Sequence, residues 1–292
     1  EGEVTPINGN PNYRQLPNFT YGPTNEVILN VWSDFYVAIN AANLALYHIP
    51  NIEMDNNLKN RLLGEASFMR GLFYFELVRL FGEVPLVLQG TKSFENSSYE
   101  GRTSIAEIYE QIVSDFSFAE QNLPPSFSGA DNGRPTLYSA KAYLAKVYLT
   151  QGMEYQVAQS KLEDIMNSGQ FALWNDYADV FKIANNNGKE VVYSINFDSQ
   201  GTGFDLIWEG SHLTFRTLPI EYRSIGVNAG DFEIPTEHLY NLFDDLDRRK
   251  EVTFITEDVI SGVRIVFDRP HIGKYWDRIA EPNVNNTGND LQ

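Results

Sequence analysis

The sequence predicts a mostly α-helical protein, in which a helical-repeat scaffold is followed by a loop-rich region with short β-strands. Three observations predict this fold class. Apolar residues recur every three or four positions through the first half of the chain, which is the spacing of amphipathic helices. Residues 135–168 form a helix–turn–helix unit of the length found in tetratricopeptide repeats. After about Phe181 the helical spacing ends, and alternating and glycine-rich segments follow.

These patterns divide the chain into three expected parts. Residues 1–24 lack periodicity and carry four prolines, so we expect an extended N-terminal arm. Residues 25–182 are expected to form the helical tetratricopeptide-like scaffold, and residues 183–292 a loop-rich ligand-binding region with short strands. Long loops on a rigid scaffold are where binding residues concentrate, so we expect the functional site in the last part.

The first two scaffold helices are predicted by their apolar stripes and by the residues that stop them. The first begins at about Asn25 and ends before Pro50. The second spans about 57–81, and apolar residues cover most of its circumference, which indicates burial on several sides. Gly82 follows at a C-terminal capping position, and Pro85 prevents the helix from resuming.

Capping signals mark the later helices. Ser104 and Glu107 have the spacing of a capping box, in which the hydroxyl and the carboxylate satisfy backbone amides of the first turn. The next helix has Thr136 as its N-cap and reaches about Gln151, and a fifth ends before Gly169. Three further elements are predicted beyond the scaffold: a strand at 190–197, a helix at 236–246 and a hairpin that turns at Ser261–Gly262.

The composition excludes several classes of function. The net charge is −17, so nucleic acid and anionic lipid would repel the chain unless it had a strong basic patch. Its one basic run, at 248–250, directly follows three aspartates. The absence of cysteine excludes disulfides and thiolate chemistry. No uninterrupted apolar run approaches the roughly 20 residues that a membrane helix needs.

The residues that carry catalysis or bind metals form no recognisable pattern. The four histidines show no HExxH motif or closely spaced pair, and no nucleophile elbow, P-loop or dinucleotide-binding motif occurs. Asp244, Asp245 and Asp247 are interpreted as a solvated helix end beside Arg248 and Arg249 rather than as a metal site. We therefore predict that the chain is not an enzyme and requires no cofactor or metal.

Aromatic residues are frequent, at 13% of the chain, and they divide by location. Those in the helical stripes are expected to belong to the core. Others lie in a polar, glycine-rich stretch, where an exposed ring can stack on a sugar and neighbouring polar side chains can bond its hydroxyls. For Trp208, packing of a loop onto the core is an equally weighted alternative. The predicted ligand-binding residues are Phe204, Trp208, Phe215, Arg216 and Tyr222.

The segment 65–87, which reads EASFMRGLFYFELVRLFGEVPLV, resembles the signature of the SusD/RagB family. Residues 32–43, 138–152 and 190–195 are similar to further segments of that family in the same order. The resemblance covers about 25–200 well and the rest loosely.

This resemblance implies a tetratricopeptide-like frame with a loop-rich ligand domain, anchored to the outer-membrane surface through an N-terminal lipidated cysteine. It implies partnership with a TonB-dependent SusC-like transporter, to which the protein delivers captured oligosaccharide. It also allows a bound calcium ion, for which no residues are identified. The lipidated cysteine and the C-terminal helices of relatives are absent here, so we expect the natural protein to be longer at both ends.

The function predicted on these grounds is capture of oligosaccharide or polysaccharide at the cell surface, without cleavage. The alternative is a protein- or peptide-binding helical-repeat scaffold without affinity for glycans, since repeat surfaces often bind proteins.

Overall fold

The computed structural model describes residues 4–6, 11–90, 101–196, 216–225, 229–260 and 262–275. The chain forms two compact units. The first, called the helical unit below, comprises residues 28–172, and the second, called the mixed unit, comprises residues 1–27 together with residues 173–292.

The described elements are helical in the first half of the chain and mixed in the second, as the sequence predicts. In chain order they are β1 (Val4–Pro6), α1 (Pro11–Gln15), α2 (Glu26–His48), α3 (Asn56–Phe81), α4 (Ile105–Asn122), α5 (Leu137–Gln151), α6 (Tyr155–Asn167), β2 (Glu233–Pro235), α7 (Glu237–Leu242), α8 (Arg249–Thr253), β3 (Phe254–Ile260) and β4 (Val263–Ile272). Short 3-10 turns lie at Ile49–Asn51, Gly129–Asp131, Tyr177–Phe181, Ile183–Asn185 and Ile220–Ile225.

The helix boundaries follow from local hydrogen bonding at the helix ends. The Ser104 side chain accepts from the Glu107 amide while the Glu107 side chain accepts from the Ser104 amide, so the predicted capping box is confirmed. Thr136 caps α5, as predicted, through the Ser139 amide. Asp55 caps α3 by accepting from two backbone amides of the first turn. Each of these caps satisfies donors that the helix itself leaves unpaired.

The core of the helical unit lies between helices that are neighbours in sequence. Helix α3 packs on α4, α4 on α5, and α5 on α6. The rings of Phe68, Phe116 and Tyr143 meet at its centre, with Phe116 stacked on Tyr143 at 5.3 Å between centroids. Gly71 permits the close approach of α3 and α4, because a Cβ atom there would lie 3.2 Å from that of Asp115. The frame is the tetratricopeptide-like stack that the repeat spacing predicts.

The mixed unit depends on pairing between residues far apart in sequence. Strand β1 is antiparallel to β2, with Val4 opposite Pro235. Strands β3 and β4 form the predicted hairpin, with Ile260 opposite Val263 and Gly262 at a φ of 79°, where glycine is favoured. A small core fills the space behind the hairpin: Leu218, Tyr222, Ala229, Ile255, Ile260 and Phe267.

One sequence expectation differs from the structure. The predicted strand at 190–197 is wrong over 190–196, where the backbone forms no strand. An alternating segment becomes a strand only when another strand completes its hydrogen bonds, and here the Ser194 hydroxyl instead lies near the side-chain oxygens of Asn187 and Asn196. The expected arm, residues 1–24, contains β1 and α1 and belongs to the same unit as the C-terminal region.

Candidate ligand-binding site

An open cleft of about 720 Å³ lies in the mixed unit between α7, α8 and the start of β3. Its walls combine aromatic and charged side chains, including Tyr240, Asp245, Lys250, Phe254 and Glu257. Phe254 is buried and forms the packed base of this region, in edge contact with the rings of Tyr240 and Phe243. The cleft thus has an aromatic base and a largely polar, charged rim.

Ion pairs hold the charged rim of the cleft. The Lys250 ammonium lies 2.7 Å from Asp245 and 4.6 Å from the centre of the Tyr240 ring. Arg249 binds Asp247 at 2.6 Å, and its guanidinium lowers the pKa of that carboxyl to about 2. The basic run therefore neutralises the acidic one, in agreement with its interpretation as a solvated helix end.

The structure describes two of the five predicted ligand-binding residues, Arg216 and Tyr222. Phe204, Trp208 and Phe215 lie outside the described residues. Arg216 is half-buried and forms an ion pair with Glu233, and its guanidinium lies 4.8 Å from the centre of the Tyr13 ring. Both contacts position Arg216, and its ligand contact stays a prediction.

Tyr222 occupies the core of the mixed unit. Its side chain is only 1% exposed, and its hydroxyl donates to the Asp258 carboxylate. The ring therefore presents no face on which a sugar could stack in this structure. Position 222 lies in a stretch rich in glycine and polar residues, but the hairpin folds over it, and a one-dimensional pattern does not report that contact.

The cleft residues were missed by the sequence analysis. Tyr240 and Phe254 lie in and beyond a predicted short helix, where an aromatic residue is indistinguishable from a core residue. Lys250 belongs to the basic run, which the sequence analysis interpreted only as balancing the charge of the preceding aspartates. The one available signal was the unusual alternation of acidic, basic and aromatic residues between 240 and 257.

The signature segment 65–87 lies in the helical unit, where its polar residues have a structural role. Arg70 on α3 makes two hydrogen bonds to Asp115 on α4, at 2.9 and 2.7 Å, and one to Asn43 on α2, at 3.0 Å. The Asp115 carboxylate is buried, which raises its pKa, and Arg70 and Gln111 partly offset this shift. One side chain thus links three helices through a satisfied polar network.

The end of the signature segment is fastened by backbone hydrogen bonds. The Tyr74 hydroxyl accepts from the Val87 amide at 2.7 Å and donates to the Val87 carbonyl at 2.8 Å. Tyr36 donates to the carbonyl of Pro85, and Asn43 to that of Val87. The segment after α3 is therefore fixed across α2 and α3. These contacts give Tyr74 of the signature segment, and Tyr36 and Asn43 of α2, a structural role without a ligand.

The described ranges contain neither a metal-binding cluster nor a membrane-spanning helix. Within them, no group of three or more His, Asp or Glu side chains is placed to hold a metal ion. A calcium site therefore stays an expectation without assigned ligands. None of the helices in the described ranges is long and apolar enough to cross a membrane.

The fold and the cleft define a helical-repeat protein with a second, loop-rich unit that offers a place for a small ligand. A family model described as starch-binding and associating with the outer membrane matches residues 4–149, half of the chain. The chain belongs to this SusD-like family.

Individual relatives agree with this assignment. SusD-like protein P2 of Formosa agariphila is 28% identical over 281 residues, covering 90% of this chain and 54% of the relative. A SusD superfamily protein from Parabacteroides distasonis superposes with a TM-score of 0.79 at 26% identity, over 99% of this chain and 64% of that structure. A laminarin-binding SusD-like protein superposes with a TM-score of 0.81 at 26% identity, over 95% of this chain and 66% of that structure. The chain spans about half the length of the curated relatives it matches.

Proposed function

We propose that this chain is part of a cell-surface glycan-binding protein that captures an oligosaccharide or polysaccharide and passes it to a TonB-dependent SusC-like transporter. The observation that supports this most is the superposition on a laminarin-binding SusD-like protein over 95% of the chain. The description of the family model favours the same activity and an outer-membrane location.

The cleft in the mixed unit fits this proposal in size and chemistry. A volume of about 720 Å³ suits a few sugar rings, because ligand pockets commonly measure about 300–1,000 Å³. Carboxylates, a lysine and a tyrosine around its rim offer donors and acceptors for hydroxyl groups. Stacking of a sugar on an aromatic ring contributes roughly 1 kcal/mol, by analogy with other aromatic pairs. Affinity at one site is therefore expected to be modest.

The charged groups of the cleft favour binding over hydrolysis. Glycoside hydrolysis needs a carboxylic acid whose pKa is raised, so that it is protonated when the bond breaks. In the cleft, hydrogen bonds from Lys250 and Arg249 lower the pKa values of Asp245 and Asp247. Both carboxylates are thus stable as anions, and neither is suited to donate a proton at neutral pH.

Affinity electrophoresis tests the proposal directly. The protein is run through native gels cast with laminarin, starch, mannan, xylan, fructan or mucin glycans, beside a gel without glycan. We expect retardation in at least one glycan and its loss in Trp208→Ala, the predicted stacking residue. Tyr155→Ala is the matched control, because it removes an aromatic side chain that is 61% exposed in the helical unit.

Product analysis tests the absence of cleavage. The glycan that retards the protein is incubated with it overnight and its chain length is measured by chromatography. An unchanged length distribution is expected, and shorter products that scale with protein concentration would contradict the binding-only proposal.

A second candidate function, a scaffold that binds a protein or peptide, is favoured by exposed apolar residues around α5 and α6. Leu149, Met153, Tyr155 and Met166 are between 49% and 67% exposed. Exposed apolar groups that lie close together often mark contact sites between proteins. If a folded sample is not retarded by any glycan in the electrophoresis series, this scaffold function becomes the better account.

A further inference from the structure

Lys274, two residues after β4, is half-buried and contacts no carboxylate within the part of the chain that the structure describes. Its ammonium nitrogen lies 5.3 Å from the centre of the Phe181 ring and 5.0 Å from that of the Tyr275 ring. No hydrogen bond or ion pair to this ammonium occurs among the described residues. Burial lowers the pKa of Lys274, because water that would solvate the charge is displaced.

Five other cations of the mixed unit are paired with acidic side chains. Lys182, Arg216, Arg249, Lys250 and Arg264 each contact a carboxylate. The chain carries 39 acidic residues against 22 basic ones, so carboxylates are abundant. None of the carboxylates in the described ranges reaches the half-buried ammonium of Lys274. Buried charges are costly unless they are paired, and the missing partner can be supplied by a ligand.

The surroundings of Lys274 place it beside the cleft described above. The Gly273 amide donates to the Thr253 carbonyl at 2.9 Å, and Gly273 also lines the cleft. Helix α8, which carries Arg249 and Lys250, packs on the turn that carries Phe181. Lys274 is thus the next residue along the chain from the lining of a cleft whose rim already contains basic groups.

We propose that Lys274, between the rings of Phe181 and Tyr275, forms a subsite for a negatively charged group on a glycan, either a uronic acid carboxylate or a sulfate ester. This inference rests on the proposed function and names the class of glycan. An anion at the ammonium supplies the missing counter-charge, and charge-assisted hydrogen bonds of this kind are stronger than neutral ones. The two rings exclude water around the charge and so strengthen the interaction.

Isothermal titration calorimetry tests the subsite with three probes of equal length: laminarihexaose, hexagalacturonate and a sulfated carrageenan hexasaccharide. The variants are Lys274→Met, which removes the charge at similar length, and Lys274→Arg, which keeps it. We expect one anionic probe to bind more tightly than the neutral probe. The affinity for this probe should fall about tenfold or more in Lys274→Met, because the free energy of a hydrogen bond to a charged group corresponds to a change in Kd of about that size. The affinity should persist in Lys274→Arg, which keeps the charge.

Lys189→Met is the matched control, because Lys189 is an exposed lysine whose ammonium also lies over an aromatic ring, 4.5 Å from the centre of Trp174. It should bind all probes as the unmodified chain does. Raising the salt concentration should weaken the anionic probe more than the neutral one.

The outcomes separate this inference from the proposed function. If laminarihexaose binds and no anionic probe binds more tightly, glycan capture stands and the Lys274 subsite is overturned. Anionic binding that survives in Lys274→Met also overturns the subsite. If no probe binds, the inference and glycan capture as proposed for these sugars both fail.

Thermal unfolding gives a second measurement that does not depend on the choice of glycan. If Lys274 binds a ligand and does not stabilise the fold, Lys274→Met only removes a desolvated charge. The melting temperature of this variant should then equal or exceed that of the unmodified chain. A marked fall would show that the contacts with Phe181 and Tyr275 stabilise the fold instead, and it would overturn the inference.

Discussion

The helical unit and the mixed unit differ in the sequence range of the contacts that stabilise them. In the helical unit each of α3 to α6 packs on a helix next to it in sequence. In the mixed unit Val4 pairs with Pro235, and Arg216 lies over Tyr13. Local signals therefore specify the first unit, whereas the second forms only when distant segments meet. The comparison shows why helical spacing and capping predicted one unit well and the other poorly.

Both units contain buried polar atoms that approach each other without an aligned hydrogen bond. In the helical unit Nε of Arg61 and Oε1 of Glu65 are buried and 3.3 Å apart. In the mixed unit Nδ1 of His271 and Oδ1 of Asp231 are buried and 3.2 Å apart. Incomplete pairing is therefore not a difference between the two units, and each such pair needs its own explanation.

The largest expected effect comes from breaking the buried network of the helical unit. Arg70→Ala leaves the Asp115 carboxylate buried without its main partner, and it should lower the free energy of unfolding by about 3–5 kcal/mol. Urea unfolding followed by circular dichroism measures this. The control Asp164→Ala removes an exposed carboxylate that pairs with Lys141, and it should leave stability nearly unchanged. Equal effects of the two variants would contradict the role assigned to Arg70.

A smaller effect is expected in the core of the mixed unit. Tyr222→Phe removes the hydroxyl that donates to Asp258 and should cost about 1–3 kcal/mol, because the acceptor is charged and partly buried. Hydrogen exchange measured by mass spectrometry should show faster exchange in β3 and β4, with α3 to α6 unaffected. Tyr155→Phe, at an exposed position, is the control. Uniform acceleration throughout the chain would show that the two units unfold together.

The helix caps allow a test of local signals in the helical unit. Ser104→Ala removes the capping box of α4 and should lower the free energy of unfolding by about 1 kcal/mol. Ser114→Ala, at an exposed position inside the same helix, should have no effect or stabilise slightly, since alanine favours helix. If both substitutions destabilise equally, the capping interaction is not the cause.

The smallest effect concerns pH and the mixed unit. Burial, with a contribution from Arg269, lowers the pKa of His271 below its ordinary value of 6.5. The unfolded chain therefore takes up a proton near that value while the folded chain does not, so stability should fall as the pH drops through about 6.5. Urea unfolding at several pH values measures the slope, which should be shallower in His271→Gln. His238→Gln, at an exposed histidine, should keep the slope of the unmodified chain.

Burial also raises the pKa of Asp231, mainly by desolvation. Between its ordinary pKa of 3.8 and its raised pKa in the folded chain, Asp231 makes stability rise as the pH falls, which is opposite to the effect of His271. The contribution of His271 is therefore read from the difference between the unmodified chain and His271→Gln. Parallel profiles of stability against pH for these two proteins would show that a group other than His271 causes the loss of stability at acidic pH.

The sequence determined the parts of the protein that depend on neighbouring residues. It located the helices that became α2 to α6, the capping box at Ser104, the cap at Thr136 and the hairpin at Ser261–Gly262, because helix periodicity, caps and tight turns act over a few residues. The signature segment was sufficient to indicate the family that the comparisons confirm.

Tertiary structure alone decided which residues are buried, paired or exposed in the mixed unit. It placed Tyr222 in a core beneath the hairpin, joined β1 to β2, and left 190–196 without a partner strand. It also brought the ammonium of Lys274 to 5.3 Å from the centre of the Phe181 ring. Such contacts join residues separated by tens or hundreds of positions, and their energy depends on burial and alignment. Neither burial nor alignment can be predicted from the order of the residues, so the candidate ligand site was identified only in the folded chain.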